Sequence, residues 1–307
     1  MSGERTRDFR AMRGLRRDRI LPAVVLTAGV LCVCTSAVFV RLAEAHPIVK
    51  CAYRLGIASL IIVPPALLMH WRDYTTLTRK DLAVGVLSGF FLALHFAAWI
   101  TSLDYTTVAS SLVLVNTAPV WVALINALAG RGMPTRIMLV CITMSIIGTS
   151  MVGYGDITFS GRAVYGDALA LAGAVAVSLY IFCGGELRQK LGLLPYVAIC
   201  YGTAAVVMWI ASLSMGLAMR GFSWTTWGSF VGMAVIAQVC GHSCYNWALG
   251  RFSTGTVSIV LLGEPVAGSL FAYFMFNETI TPINLAGCAV LMFSIALLSA
   301  KSDKQRV

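Results

Sequence analysis

Ten apolar stretches, each long enough to cross a bilayer as a helix, take up most of the chain: Ile20 to Ala43, Ile48 to Met69, Leu82 to Leu103, Thr106 to Leu128, Thr135 to Tyr154, Tyr165 to Gly184, Leu194 to Leu217, Thr226 to Leu249, Ser253 to Phe276 and Pro282 to Ala300. A helical crossing needs about 20 apolar residues. Ten crossings therefore use about 200 of the 307 residues, which leaves roughly ten for each tail and connection. No separate soluble catalytic domain fits. Only 12% of the residues are charged, against roughly a quarter in soluble domains. Turn and charge signals such as His46-Pro47, Gly130-Arg131-Gly132 and Gly155-Asp156 separate the stretches. The expected fold is an all-α integral membrane protein of ten transmembrane helices.

The formal charge of +10 would suggest nucleic acid in a soluble protein. Its distribution says otherwise. An even number of crossings puts both ends on one side, and the cations mark that side as cytoplasmic. It holds Arg5, Arg7, Arg10, Arg13, Arg16, Arg17 and Arg19, then Arg72, Arg79 and Lys80, Arg131 and Arg136, Arg188 and Lys190, Arg251, and Lys301, Lys304 and Arg306. The opposite side holds Arg162 and Arg220. Arg41, Lys50 and Arg54 are left inside or at the edge of spans. The basic start followed by Ala43-Glu44-Ala45 imitates a cleavable signal, but the apolar run before Arg41 is longer than the usual 7 to 15 residues of such signals. It reads as a retained first helix.

The chain also repeats itself. Asn116-Thr117-Ala118-Pro119-Val120 faces Leu262-Gly263-Glu264-Pro265-Val266 at an offset of 262 − 116 = 146, and in the same frame Trp99 faces Tyr245, Leu103 faces Leu249 and Thr135 faces Thr281. Each half then has five spans. Five is odd, so the second half is expected upside down relative to the first, which is the inverted-repeat pattern of secondary transporters. The connection after the fourth span carries Arg131 and Arg136, whereas its counterpart after the ninth carries Glu278. The organisation expected is a basic cytoplasmic arm at 1–20, five-helix repeats at 21–155 and 164–300, and a cytoplasmic tail at 301–307.

Several local patterns resemble those of the EamA-type members of the drug/metabolite transporter superfamily, over about Ile20 to Ala300. They are Pro47, Tyr53-Arg54-Leu55 and Pro64-Pro65; Phe96-Ala97-Ala98-Trp99 through Leu103-Asp104-Tyr105-Thr106, Ala109-Ser110 and Pro119; and Glu264-Pro265-Val266, Glu278-Thr279 and Gly287. Cys34-Thr35 replaces the family's usual Trp-Gly of the first helix, and Gly132 stands where a glutamate is expected. The resemblance implies ten helices in two inverted repeats. It also implies secondary transport, most often export, of amino acids, metabolites or amphipathic toxic compounds.

Among residues that could carry this chemistry, Glu264 stands out at midplane depth in the ninth stretch. A carboxylate there costs about 2.5 to 3.5 kcal/mol on insertion scales and needs water, a partner or a proton. It suits a proton-coupling or cation-binding site, or else a structural group bonded to backbone beside Pro265. Pro119 and Pro265 are the expected kinks or hinges, since each removes a backbone donor. Arg54 lies within snorkelling reach of the interface. It is either a cavity cation that attracts a substrate carboxylate or pairs with Glu264, or a structural arginine bonding helix-end carbonyls. Lys50 is the weaker cation candidate.

His95 and Trp99, four apart, share one helix face, as do His242 and Asn246. With Tyr245 and Trp247 they are candidates to line a cavity by stacking and cation–π contacts, or are core and interfacial anchors. Asn116, Ser110, Ser111, Thr256 and Ser258 are weaker polar candidates. Gly85 to Gly89 and Gly228 to Gly232 allow close helix contact, within the bundle or at a dimer seam.

The nine cysteines include no Cys-x-x-Cys, and no nucleotide-loop or hydrolase signature appears. No cofactor or metal and no nucleic acid are expected. The partners are a small-molecule substrate, the lipid bilayer and a coupled proton or counter-substrate, in a monomer or homodimer. The leading expectation is a secondary active exporter of the plasma (inner) membrane working by alternating access. An intramembrane enzyme, or a channel or sensor, is the alternative.

Overall fold

A computed structural model describes residues 2–106, 108–152, 154, 161–276 and 281–302, with side chains for all of these except 2–20, 108, 109, 269, 272, 275, 276 and 299–302. The arginines of the basic arm, Glu278-Thr279, the boundary Gly155-Asp156 and the tail cations Lys301, Lys304 and Arg306 therefore lie outside the described side chains.

The described residues are helical, with no strand among them. In chain order the helices are α1 (Ser2–Leu42), α2 (Pro47–Thr75), α3 (Arg79–Ser102), α4 (Val108–Val115), α5 (Ala118–Leu128), α6 (Arg136–Val152), α7 (Gly161–Leu187), α8 (Leu193–Ser214) and α9 (Trp224–Gly232). A π-helical segment (Met233–His242) follows, then α10 (Ser243–Leu249), α11 (Thr254–Val260), α12 (Gly263–Phe276) and α13 (Pro282–Ser302). Among the described residues, 6 helices are long and apolar enough to cross a membrane, and shorter apolar helices span Arg136–Val152, Thr254–Gly268 and Pro282–Leu298.

Polar side chains at the connections set where helices begin. His46 caps α2 and Pro47 follows in the first turn, where its missing N–H has no partner to lose. Thr78 and Asp81 form a reciprocal capping box on α3. Ser223 accepts from the Thr226 N–H at 3.2 Å, and Ser253 from the Thr256 N–H at 3.1 Å.

The fourth and ninth apolar stretches, where Pro119 and Pro265 were expected to kink or hinge a helix, are each broken into two helices. The first breaks between α4 and α5 at Asn116-Thr117, the second between α11 and α12 at Leu261-Leu262. Short i→i+3 bonds tighten both breaks: Thr117 N–H to the Leu114 carbonyl at 3.1 Å, and Glu264 N–H to the Leu261 carbonyl at 2.9 Å. The two prolines consequently do not kink a running helix. Pro119 and Pro265 sit in the first turn of α5 and α12, where a residue without an N–H is tolerated.

Packing crosses between the halves. α3 lies along α7 and α8, α2 along α8 and the π segment, α1 along the π segment and α12, α5 against α7, and α6 against α13. Small residues permit this. A Cβ on Gly89 would meet the Cys200 carbonyl oxygen at 2.4 Å, and one on Gly85 would meet Ile199 Cγ2 at 2.9 Å. The first glycine pair therefore serves packing within the bundle. Of the second pair, Gly232 meets the Phe39 ring whereas Gly228 has open space around it.

Candidate functional site

Where α1, α2, α3, the α4–α5 break, α7, the π segment and the α11–α12 break converge, they enclose a cavity of about 60 Å³. On this measure a single water needs roughly 10 to 15 Å³, so the space holds a few waters or one small polar group. Its wall is mostly apolar, from Val33 to Gly268, with Arg54, His95, Trp99, Asn116, His242 and Glu264 among the lining side chains.

Neighbouring residues of α2 face different surroundings. Tyr53 stacks on Phe230 at 4.6 Å between ring centroids and donates its hydroxyl to the Met219 carbonyl. Arg54 turns into the bundle and is 0% exposed, so it does not snorkel to an interface. Its Nε donates to Gln238 Oε1 at 2.8 Å and its Nη1 to Ser36 Oγ at 2.7 Å. The guanidinium carbon sits 3.8 Å from the centroid of the Phe96 ring, a cation–π contact that gains strength away from water. Among the described residues no carboxylate comes within 4.0 Å of Arg54, and its hydrogen-bond partners are side chains rather than helix-end carbonyls. The helix-end role falls to Lys50, whose Nζ donates to the Val40 carbonyl at 3.0 Å in the last turns of α1, outside the cavity.

Glu264 occupies the first turn of α12, where the exposed N–H groups and the helix dipole favour a carboxylate. Tyr245 donates its hydroxyl to Glu264 Oε1 at 2.9 Å, and Cys34 Sγ approaches the Glu264 backbone oxygen at 3.4 Å. Tyr245 does not line the cavity itself but holds the acid that does.

The aromatic wall comes from α3 and the π segment. His95 and Trp99 stack with 3° between their planes and 6.3 Å between centroids, so the face they share as a pair is realised. His95 Nδ1 lies 2.9 Å from the Gly173 carbonyl oxygen. His242 packs edge-on against Phe96 at 5.1 Å and Tyr245 at 5.7 Å. Asn246 shares the face of His242 but sits one turn further along, outside the cavity: it accepts from Tyr180 at 2.6 Å and donates to Tyr201 at 3.1 Å. A helix turn rises 5.4 Å, enough to move that amide from the cavity into a buried tyrosine network. Asn116 lines the cavity while its amide nitrogen bonds back to the Leu112 carbonyl at 2.8 Å. Ser258 also lines it, whereas Ser110 bonds Asp167 at 2.8 Å and Ser111 bonds Ser102 at 2.7 Å.

Three residues of this site were not singled out from the sequence: Ser36, Phe96 as a cation platform, and Gln238. Gln238 is an amide midway along an apolar stretch and 0% exposed, which marks it as needing a polar partner. It lies in the π segment, a helix form often found at functional sites.

A model of the EamA-like transporter family matches the chain twice, at residues 21–154 and 164–300. An uncharacterized transporter of Archaeoglobus fulgidus is 24% identical over 281 residues, covering 88% of this chain and 94% of the relative. A probable amino-acid metabolite efflux pump of Salmonella typhimurium is 26% identical over 170 residues, covering 51% of this chain and 56% of the pump. A crystal structure superposes with a TM-score of 0.76 at 14% identity, covering 94% of this chain and all of the other, a likeness of fold.

Proposed function

The chain belongs to the EamA-like transporter family, and from that premise we propose that it is a secondary active transporter that exports a small molecule through the central cavity by alternating access. The carrying observation is the cavity itself: a guanidinium and a carboxylate share one mostly apolar space bounded by helices of both halves. Polar groups at membrane depth are costly and are typically retained along substrate or ion pathways.

The reading has ten membrane helices in two five-helix halves of opposite orientation. Helix starts recur at one offset in its favour: 193 − 47, 254 − 108 and 282 − 136 all equal 146. Packing partners also exchange. α3 on α7 is matched by the π segment on α1, and α5 on α7 by α12 on α1, while α2–α8 and α6–α13 pair with their own counterparts. A two-fold axis generates this kind of exchange, and an odd number of helices per half lays that axis in the membrane plane.

The cation distribution supports cytoplasmic termini in the plasma (inner) membrane. On that reading two cross-half ion pairs lie at the cytoplasmic end. Lys190 Nζ is 2.7 Å from Asp81 Oδ1, and Arg131 contacts Glu186. The form described here is then closed toward the cytoplasm, and opening inward breaks both pairs. Export accords with the efflux pump among the relatives. Glu264 is the proposed coupling acid, and Arg54, His95, Trp99, Asn116 and His242 form the proposed binding wall.

Reconstitution into liposomes tests this. With an imposed pH gradient and a panel of radiolabelled amino acids, saturable accumulation above equilibrium supports the reading. Non-saturable downhill flux contradicts it.

A further inference from the structure

Among the described residues seven buried side-chain polar atoms lack a protein partner; the hydroxyls of Ser59, Thr149 and Ser212 lie away from the cavity, and the other four are at or beside it. These four are Arg54 Nη2, Trp99 Nε1, Gln238 Nε2 and His242 Nδ1. Arg54, Trp99 and His242 line the cavity, and Gln238 is bound to Arg54 beside it. Three of the four are donors, while His242 Nδ1 donates or accepts according to its tautomer. A guanidinium N–H and an indole N–H can only donate. Because Arg54 Nε can only donate to Gln238, the amide oxygen faces it, and the unpartnered end of that amide is its NH2, also a donor. Arg54 is 0% exposed and Trp99 8%, so bulk water does not satisfy these groups, and leaving buried donors unpaired is costly.

We infer that this end of the cavity binds a carboxylate group of the transported molecule, held by Arg54 Nη2 and Trp99 Nε1 with its apolar part along Phe96 and the His95–Trp99 stack. The inference rests on the transport reading for its physiological meaning and narrows its substrate class to carboxylate-bearing molecules. A planar guanidinium presents paired N–H groups that match a carboxylate. The protein has not supplied the matching anion: Arg54 takes the neutral oxygens of Gln238 and Ser36 instead. Glu264 lines the same cavity but is engaged by Tyr245. The space described fits the carboxylate head group; seating a hydrocarbon or aromatic chain along the apolar wall requires the cavity to widen, as alternating access entails. An ammonium offers these donors no acceptor, and a neutral amide offers one uncharged oxygen in place of the paired, charged oxygens of a carboxylate.

Binding to the purified full chain in detergent, read by thermal stabilisation and by quenching of tryptophan fluorescence, tests the assignment. The probes are acetate, butyrate and 3-phenylpropionate, with 3-phenylpropionamide and phenethylammonium as neutral and cationic partners of the largest acid. The acids are expected to bind, with 3-phenylpropionate about tenfold or more tighter than its amide or the amine, since a site built around hydrogen bonds rejects analogues that lack them. Trp99→Phe keeps the ring and deletes the N–H. It should lower affinity for the acid severalfold and leave the amide unchanged. Arg54→Lys, a second variant that keeps the charge, should lower it further.

Equal binding of acid, amide and amine, an acid preference untouched in Trp99→Phe, or no binding of any acid each overturns the inference. Flux separates the two readings. Saturable transport of amines or amides without acid binding would leave the transporter standing and remove the carboxylate site. Tight acid binding with no flux of any probe would do the reverse.

Discussion

Arg54 on α2 donates from Nε to Oε1 of Gln238 in the π segment at 2.8 Å, across 184 residues of chain. The bond ties the first half of the molecule to the second at the wall of the cavity. It engages the side-chain oxygen of Gln238, which turns the amide NH2 away from the Arg54 Nε.

Removing that acceptor should be felt in stability. Gln238→Leu leaves a buried guanidinium N–H unpaired, at a cost of about 1 to 3 kcal/mol. Adding Arg54→Met should recover part of the loss, because replacing both partners by apolar groups is gentler than removing one. Thermal unfolding of the two single variants and the double variant in detergent measures this. Additive losses would show that the pair is not coupled.

Close helix contact makes a sharper contrast. A Cβ at Gly89 collides with the Cys200 carbonyl oxygen at 2.4 Å, while Gly228 has nothing within 4 Å. Gly89→Ala should therefore destabilise by about 1 to 3 kcal/mol through overpacking. Gly228→Ala should be neutral or slightly stabilising, as a helical glycine costs about 1 kcal/mol relative to alanine. Equal melting temperatures for the two variants would contradict the packing of α3 on α8.

Topology is open to direct labelling. With 18 cations assigned to the cytoplasmic side and Arg162 and Arg220 to the other, Arg220→Cys should react with a membrane-impermeant maleimide in intact cells. Arg131→Cys should react only in inside-out vesicles. The parent protein, whose nine cysteines are free, gives the background. The opposite pattern would invert the orientation and, with it, the assignment of the two ion pairs to a cytoplasmic closure.

The ion pairs themselves should matter more for movement than for stability. Lys190 is 63% exposed and Asp81 11%; water reaches the lysine end, so the pair contributes about 1 kcal/mol. Lys190→Glu should barely shift the melting temperature yet raise cysteine accessibility of the cavity from the cytoplasmic side, with Asp81→Lys restoring the parent pattern. Unchanged accessibility in Lys190→Glu would remove the pair from the closure.

Helix positions were legible because the bilayer demands long apolar runs: each of the ten stretches contains helix, and two of them are broken near the middle. The shared face of His95 and Trp99 follows from helix geometry alone. Depth along a face does not, which is how Asn246 comes to lie outside the cavity although it shares the face of His242. The break at Leu261-Leu262 falls within an apolar run and the one at Asn116-Thr117 on two polar residues inside a long apolar run, so neither ends its stretch, and the nearby prolines suit the start of a helix as well as a kink. Lys50 and Arg54 could not be assigned apart by charge. Four residues separate a helix-end lysine from a cavity arginine, and partners distant in sequence decide which is which.

Glu264 is the decisive residue, because among the described residues it is the one carboxylate in the cavity wall, and glutamine in its place still accepts from Tyr245. Wild-type and Glu264→Gln proteins, reconstituted side by side at equal density, should be compared for accumulation of one transported probe across a series of imposed pH gradients. The account predicts accumulation that rises with the gradient in the wild type, and at most downhill exchange insensitive to pH in the variant. Equal gradient-driven accumulation by both proteins would contradict it.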